Sequence, residues 1–280
     1  MPVASGDTAI PGIRWPEVLK QRIMTAIIAL AVLAIVLFVV SPIIARVVIA
    51  VVIVAGAWEW GGFLFGDARG GRVGYVFFIV SLMVVIALNL NDSARLGGLF
   101  TLALAWWLLA LVWMLFFPAP IPKAITWMSG GLVLVPAWAA LDQLYTQSPE
   151  LLVFALLIVW FADIGAYFVG KGIGRVKLAP AISPGKTWEG VLGGLTAVTV
   201  LAAVGSAYFE IAFSVLVPFC LAVTMLSIVG DLTVSMFKRT AGVKDSGILF
   251  PGHGGVMDRI DSVSAAAPLF ALALTWIGLN

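Results

Sequence analysis

The hydrophobic and polar positions of this chain are arranged in long blocks. Nine apolar runs are separated by short polar or Pro/Gly-containing stretches, and a helix needs about 20 mainly apolar residues to cross a bilayer. The pattern therefore predicts an all-α, polytopic membrane protein with about nine transmembrane helices. The predicted spans are Ile23–Val40, Ile43–Gly66, Val73–Leu90, Leu96–Phe117, Ala124–Leu141, Leu151–Gly170, Gly190–Phe209, Ile211–Gly230 and Val263–Leu279.

The composition supports a lipid environment. Hydrophobic residues make up 62% of the 280 positions and charged residues 11%, a balance that a soluble domain of this size cannot hide from water. The net charge of +2 gives no indication of nucleic acid as a partner. Because the sequence contains no long linker and no repeat, residues 1–280 are predicted to form a single transmembrane catalytic domain, in which 1–22 is a cytoplasmic N-terminal segment.

The basic residues predict the orientation of the chain. With nine spans and a cytoplasmic N-terminus, only Arg46 and Arg95 fall outside, and the positive-inside rule is satisfied. The two longest cytoplasmic loops are then Lys171–Glu189 and Asp231–Asp261. The basic residues on the cytoplasmic side are Arg14, Lys20, Arg22, Arg69, Arg72, Lys123, Lys171, Arg175, Lys177, Lys186, Lys238, Arg239, Lys244 and Arg259.

The first long loop ends in a polar run that leads into the seventh span. The run Ser183-Pro-Gly-Lys186-Thr187-Trp-Glu-Gly190 places hydroxyls, a lysine and backbone N–H groups near a helix N-terminus, which suits an anion. A Walker-type loop is excluded, because Pro180 stands where that motif has glycine. Helix capping with a snorkelling lysine is the alternative interpretation.

The second long loop is dense in residue types that bind phosphate and metal. Asp258 and Asp261 are three residues apart and would share one face of an early-starting helix; Asp231 is a third carboxylate. Paired carboxylates near phosphates are typical of Mg²⁺ sites, whereas simple solvation is the alternative. Lys238, Arg239, Lys244 and Arg259 supply positive charge, for a substrate or for anionic lipid, and Gly252, Gly254 and Gly255 allow close backbone approach to a ligand.

Three further residues have individual interpretations. Asp163 lies inside the sixth span and is expected to face the site or a structural partner rather than lipid. Glu59, between two tryptophans of the second span, has no role that the sequence assigns. His253 is the only histidine. If the nucleophile is a phosphomonoester, it is already largely dianionic and needs no base, and His253 is then expected to bind phosphate or order its loop.

Glycine spacing allows a homodimer. Gly62 and Gly66, and likewise Gly190 and Gly194, have the separation that lets helices pack closely. Such spacing is common in glycine-rich apolar sequence.

The polar loops carry a recognisable signature. Ser235-x-Phe-Lys238-Arg239, Lys244-Asp-x-Gly247 and Phe250-Pro-x-His253-Gly-Gly-x-x-Asp258-Arg259-Ile-Asp261 resemble the signature of the phosphatidate cytidylyltransferase (CDP-diacylglycerol synthase) family. The resemblance extends to the run Ser183–Gly190, to the Asp163 region and, more loosely, to Trp58-Glu59-Trp60.

The resemblance implies a reaction and a set of roles. CTP would donate a cytidylyl group to phosphatidic acid, with Mg²⁺ and room for a second cation, at the cytoplasmic face of the cell inner membrane. It implies Asp231, Asp258 and Asp261 as metal ligands and a catalytic group of Lys238, Arg239, Asp258, Arg259 and Asp261. The implied substrate-binding residues are Ser183, Lys186, Thr187, Ser235, Lys244, His253 and Asp163.

Three other functions are weighed against this one. A secondary transporter would place polar groups near the membrane midplane and show inverted repeats, which the sequence does not. CDP-alcohol phosphotransferases also use an Asp-x-x-Asp element, but their preceding pattern is missing before Asp258. A CTP-dependent lipid kinase would transfer the γ-phosphate instead, and the identity of the product separates it from a cytidylyltransferase.

Overall fold

The structure is a computed structural model that describes residues 15–89, 93–247 and 254–277. Within these residues the chain forms nine α-helices and one two-stranded antiparallel sheet. The elements are α1 (Trp15–Phe38), α2 (Pro42–Phe65), α3 (Arg69–Asn89), α4 (Ser93–Met114), α5 (Lys123–Gln147), α6 (Pro149–Ile173), β1 (Lys177–Ala179), β2 (Ser183–Thr187), α7 (Trp188–Tyr208), α8 (Phe213–Thr240) and α9 (Met257–Ile277).

The described helices confirm the predicted fold class. Seven of them, α2 to α8, are long and apolar enough to cross a membrane, and helices satisfy their backbone hydrogen bonds internally, as lipid requires. Each predicted span corresponds to one helix. The protein is an all-α polytopic membrane protein.

Contacts within the chain divide it into two compact units, Met1–Ala45 and Arg46–Asn280. All described residues of the candidate site lie in the second unit. A single catalytic domain over 1–280 stays a prediction.

Helix α8 is longer than its predicted span. The sequence predicts that this span ends at Gly230 and that a loop follows, but the helix continues to Thr240. Its 28 residues extend over about 42 Å, more than the hydrocarbon core of a bilayer requires. The extension is stable because its apolar side chains, including Val234, Met236 and Phe237, are buried. Ser235, Lys238 and Arg239 therefore lie on a rigid helix rather than on a loop.

The loop between α6 and α7 also differs from the prediction, because it contains a β-hairpin. Lys177 pairs with Thr187 and Ala179 pairs with Ser183. The Thr187 side chain then caps α7 by accepting a hydrogen bond of 3.1 Å from the N–H of Gly190. This capping fixes the hairpin to the start of α7.

Small residues let α6 and α7 pack at close distance. A Cβ atom at Gly165 would lie 2.5 Å from the carbonyl oxygen of Gly193, and one at Gly194 would lie 2.7 Å from that of Ala162. Gly190 faces α6 in the same way, with a Cβ position 3.0 Å from the Ala166 oxygen. The pair Gly190 and Gly194 thus has a role inside the chain, and its spacing does not indicate a dimer.

A similar contact joins α8 to α9. A Cβ atom at Gly230 would lie 2.7 Å from the carbonyl oxygen of Asp261 and 2.7 Å from the Cβ of Ala265. The absence of a side chain at Gly230 therefore allows the start of α9 to lie directly against α8. This approach brings the carboxylates of Asp231 and Asp261 into the same region.

Candidate active site

Asp258 is the most firmly held of the predicted site residues. It lies in the first turn of α9, and its Oδ1 accepts a hydrogen bond of 2.7 Å from the Nζ of Lys238 on α8. Its Oδ2 accepts from the backbone N–H groups of Ser246 and Gly255, each at 2.9 Å. The side chains of Lys238 and Asp258 are only 10% and 13% exposed, so each charge depends on the other for compensation.

Asp231 is bound by groups from two elements. On α8, the Ser235 hydroxyl donates to its Oδ1 at 3.2 Å, one helical turn along. From β2, the Lys186 Nζ forms an ion pair with its Oδ2. The hairpin is therefore joined to α8 by a charged contact, and the predicted phosphate-binding lysine lies beside a predicted metal ligand.

Asp261 and Asp163 both lie close enough to Asp231 to interact with it electrostatically. Asp261 is 8% exposed, accepts from the N–H of Ser262 at 2.7 Å, and interacts electrostatically with Asp231 and the two lysines. Asp163 on α6 interacts with Asp231, Lys186 and Arg259. Asp163 is exposed on α6 and lies within electrostatic range of these charged groups; its role in the site stays a prediction.

Two of these carboxylates fit a divalent cation. Asp231 and Asp261 repel each other electrostatically, and a bound cation would remove that repulsion. Mg²⁺ commonly takes one or two carboxylates and completes its coordination with water and phosphate oxygens. Asp258 fits less well, because three donors, from Lys238, Ser246 and Gly255, engage its oxygens. Asp231 has two such partners and Asp261 has the N–H of Ser262.

Among the residues that the structure describes, no group of three or more His, Cys, Asp or Glu side chains is arranged to hold a metal ion. The predicted ligand set of Asp231, Asp258 and Asp261 therefore stays a prediction.

The other predicted residues have varied surroundings. Arg239 donates from Nε to the carbonyl oxygen of Ile182 at 3.1 Å, so it ties the end of α8 to the hairpin turn. Thr187 is 5% exposed and engaged as a helix cap. Ser183 is half-buried at the start of β2, and Lys244 is exposed. His253 lies outside the described residues.

Sequence reasoning missed the backbone donors of the loop before α9. The N–H groups of Ser246 and Gly255 bind Asp258, and nothing in the spacing of polar residues indicates this. A signal was present in Gly254, whose φ of +80° suits glycine. A Cβ atom there would lie 2.5 Å from the Asp258 Oδ2, so this turn requires glycine beside the carboxylate.

These features define a multi-span membrane protein with carboxylates and cationic side chains gathered around the start of one helix. Residues 20–277 match the model of the cytidylyltransferase family. The chain belongs to this family.

Two of its relatives match along almost their whole length. The phosphatidate cytidylyltransferase of Pseudomonas aeruginosa is 42% identical, with 92% of this chain and 97% of the relative aligned. That of Haemophilus influenzae is 37% identical over 91% of this chain and 98% of the relative. A third, from Staphylococcus saprophyticus, is 44% identical over 45% of this chain and 49% of its own length. The resemblance identified from the loop motifs is confirmed.

The pair between Lys238 and Asp258 generates the first prediction. Replacing Lys238 with methionine keeps the length of the side chain but leaves Asp258 without its cation, and breaking a buried pair costs about 3–5 kcal/mol. We expect the catalytic efficiency to fall on the order of 100-fold or more. Steady-state kinetics of the purified variant measures this.

The matched control is Lys123→Met, which removes an exposed lysine at the start of α5. It should retain the wild-type rate. Equal activities of the two variants would contradict the importance of the Lys238 pair.

Proposed function

We propose that this protein transfers a cytidylyl group from CTP to phosphatidic acid, producing CDP-diacylglycerol and pyrophosphate for phospholipid biosynthesis. The observation that carries the proposal is the match to phosphatidate cytidylyltransferases over nearly the full length of both chains. The charge cluster around α9 supports it, because it offers cationic groups for phosphates next to carboxylates for a cation.

The reaction is an in-line displacement at the α-phosphorus of CTP. A phosphate oxygen of phosphatidic acid forms the new bond, and the bond from the α-phosphorus to the bridging oxygen of pyrophosphate breaks. The phosphomonoester is largely dianionic near neutral pH, so no protein group has to remove a proton. The protein's contribution is to position the two anionic substrates and to offset the charge that grows on the leaving group.

The lysines of the cluster suit this task. Lys186 and Lys238 are held by Asp231 and Asp258, which fixes the positions of their ammonium groups before substrate binds. Arg259 follows Asp258 on the first turn of α9, is an exposed residue and interacts electrostatically with Asp163, so it adds positive charge to the same region. Preorganised cations of this kind lower the free energy of a transition state because they need no reorganisation when charge develops.

Mg²⁺ is part of the proposal. Asp231 and Asp261 would hold it, and an Mg²⁺ ion supplies charge neutralisation on the phosphate oxygens. The sequence leaves room for a second cation, which stays a prediction.

The proposed location is the cell inner membrane, with the site at the cytoplasmic face and the surrounding bilayer as the source of phosphatidic acid. The distribution of basic residues supports this orientation, since Lys186, Lys238 and Arg259 all belong to the face predicted to be cytoplasmic. The homodimer also stays a prediction; the pair Gly190 and Gly194 does not support it, because both residues pack against α6.

Label transfer from CTP tests the proposed reaction. Detergent-purified protein is incubated with phosphatidic acid, Mg²⁺ and CTP labelled at the α-phosphate, and the organic phase is counted. We expect label in the lipid, lost on chelation of the metal and in Asp258→Ala, because that variant leaves Lys238 unpaired at the site.

Labelling at the γ-phosphate is the control for product identity. Lipid label from γ-labelled CTP alone would indicate a lipid kinase and overturn the cytidylyl-transfer proposal. Transfer of neither label would favour the transporter alternative.

Cysteine accessibility tests the orientation. In a Cys220→Ala background, single cysteines replace Gln147 at the end of α5 and Lys171 near the end of α6, both exposed in the structure. A membrane-impermeant maleimide should label Gln147→Cys in intact spheroplasts and Lys171→Cys only after lysis. The reverse pattern would place the site on the outer face.

A further inference from the structure

Glu59 accepts three hydrogen bonds from the segments that lead into α9, and no sequence pattern predicts them. It lies on α2 and is 6% exposed. Its Oε1 accepts a hydrogen bond of 2.9 Å from the N–H of Val256, and its Oε2 accepts from the N–H of Met257 at 2.8 Å and from the hydroxyl of Ser246 at 2.7 Å. One buried carboxylate thus binds three donors that lie almost 200 residues away in the sequence.

Two of these donors belong to the N-terminus of α9. The first N–H groups of a helix have no acceptor within the helix, and the helix dipole makes this end attractive to negative charge. Glu59 supplies both the acceptor and the charge from a different helix. It therefore caps the N-terminus of α9, in the turn that carries Asp258 and immediately before Asp261.

The third donor connects Glu59 to Asp258. Ser246 gives its hydroxyl to Glu59 and its backbone N–H to the Oδ2 of Asp258. Gly255 donates its N–H to the same Asp258 oxygen. Glu59 on α2 and Asp258 on α9 therefore bind donors in the same two short segments, one at Ser246 and one at residues 255–257.

The glycines of these segments fit the arrangement closely. A Cβ atom at Gly247 or at Gly255 would collide with the carboxylate of Glu59. The backbone at these two glycines therefore lies against the carboxylate of Glu59, where a side chain would clash. Helix stability alone does not require so close an approach.

We propose that Glu59 is a positioning residue, whose carboxylate fixes Ser246 and the N-terminus of α9 so that Asp258 and Asp261 are held in the orientation that the reaction needs. It acts through these residues and has no contact with the reacting atoms. The role in catalysis rests on the proposed function, whereas the capping of α9 does not.

The variant that tests this role is Glu59→Gln. This substitution preserves size and shape, but the glutamine amide has one acceptor oxygen, and its other terminal group is an NH₂ donor. In the variant this NH₂ group faces a backbone N–H that in the wild type donates to a carboxylate oxygen. The matched control is Glu150→Gln, which makes the same change in the first turn of α6, where the exposed Glu150 contacts Ser148. Ser246→Ala is a milder second variant, since it removes one of the three donors and leaves the capping of α9.

Hydrogen–deuterium exchange of the detergent-purified variants gives a readout that does not depend on activity. We expect the amides of Val256 and Met257 in Glu59→Gln to exchange on the order of 10-fold faster or more, because charge-assisted hydrogen bonds are lost. The other helices should exchange as in the wild type. Ser246→Ala should show a smaller acceleration in the same segment, and Glu150→Gln should show none there.

The kinetic readout separates positioning from stability. Per folded protein, Glu59→Gln should lower kcat on the order of 10-fold or more and raise the Mg²⁺ concentration for half-maximal activity, with a smaller change in the KM for CTP. Unchanged exchange at Val256 and Met257 would overturn the proposal. Faster exchange in all helices, together with an unchanged Mg²⁺ dependence, would also overturn the proposal, because that combination indicates general destabilisation.

If Glu59→Gln yields no folded protein, Ser246→Ala decides by the same two measurements. If the wild type itself transfers no cytidylyl group, the proposed function fails, while the exchange data still test the capping of α9 by Glu59.

Discussion

Charge compensation in apolar surroundings is the constraint on which this site depends. An ionised group taken out of water costs several kcal/mol unless an opposite charge or several hydrogen bonds meet it. The pair of Lys238 and Asp258 satisfies this requirement between α8 and α9, and the pair of Lys186 and Asp231 satisfies it between β2 and α8. The same contacts that compensate the charges also fix the relative positions of these side chains.

Close helix packing makes these charged contacts geometrically accessible. Gly230 lets α9 lie against α8 beside Asp231, while glycines and alanines let α7 lie against α6. Asp163 on α6 and Lys186 before α7 are then near the residues of α8 and α9. In a bilayer, where apolar burial gives helices little reason to associate, small residues of this kind provide the van der Waals contact that holds them together.

Local patterns predicted much of the molecule, and distant contacts explain what they missed. Each predicted span corresponds to one helix, but α9 begins at Met257, six residues before the predicted Val263. The condition under which Asp258 and Asp261 share one helical face, an early start of this helix, is therefore met. The hydropathy pattern does not predict the continuation of α8 beyond Gly230, because polar residues interrupt the apolar run there, although the apolar residues between them are buried. The three hydrogen bonds of Glu59 span almost 200 positions, and no local pattern contains them.

Binding of Mn²⁺ as a probe for Mg²⁺ tests most directly whether the carboxylates around α9 form a cation site. Electron paramagnetic resonance of the purified protein, without nucleotide, measures the bound fraction. We expect binding by the wild type and by Asp142→Asn, a variant of the ion pair with Arg46, and affinity at least about 10-fold weaker in Asp231→Asn and Asp261→Asn. Equal Mn²⁺ affinity of all four proteins would contradict it.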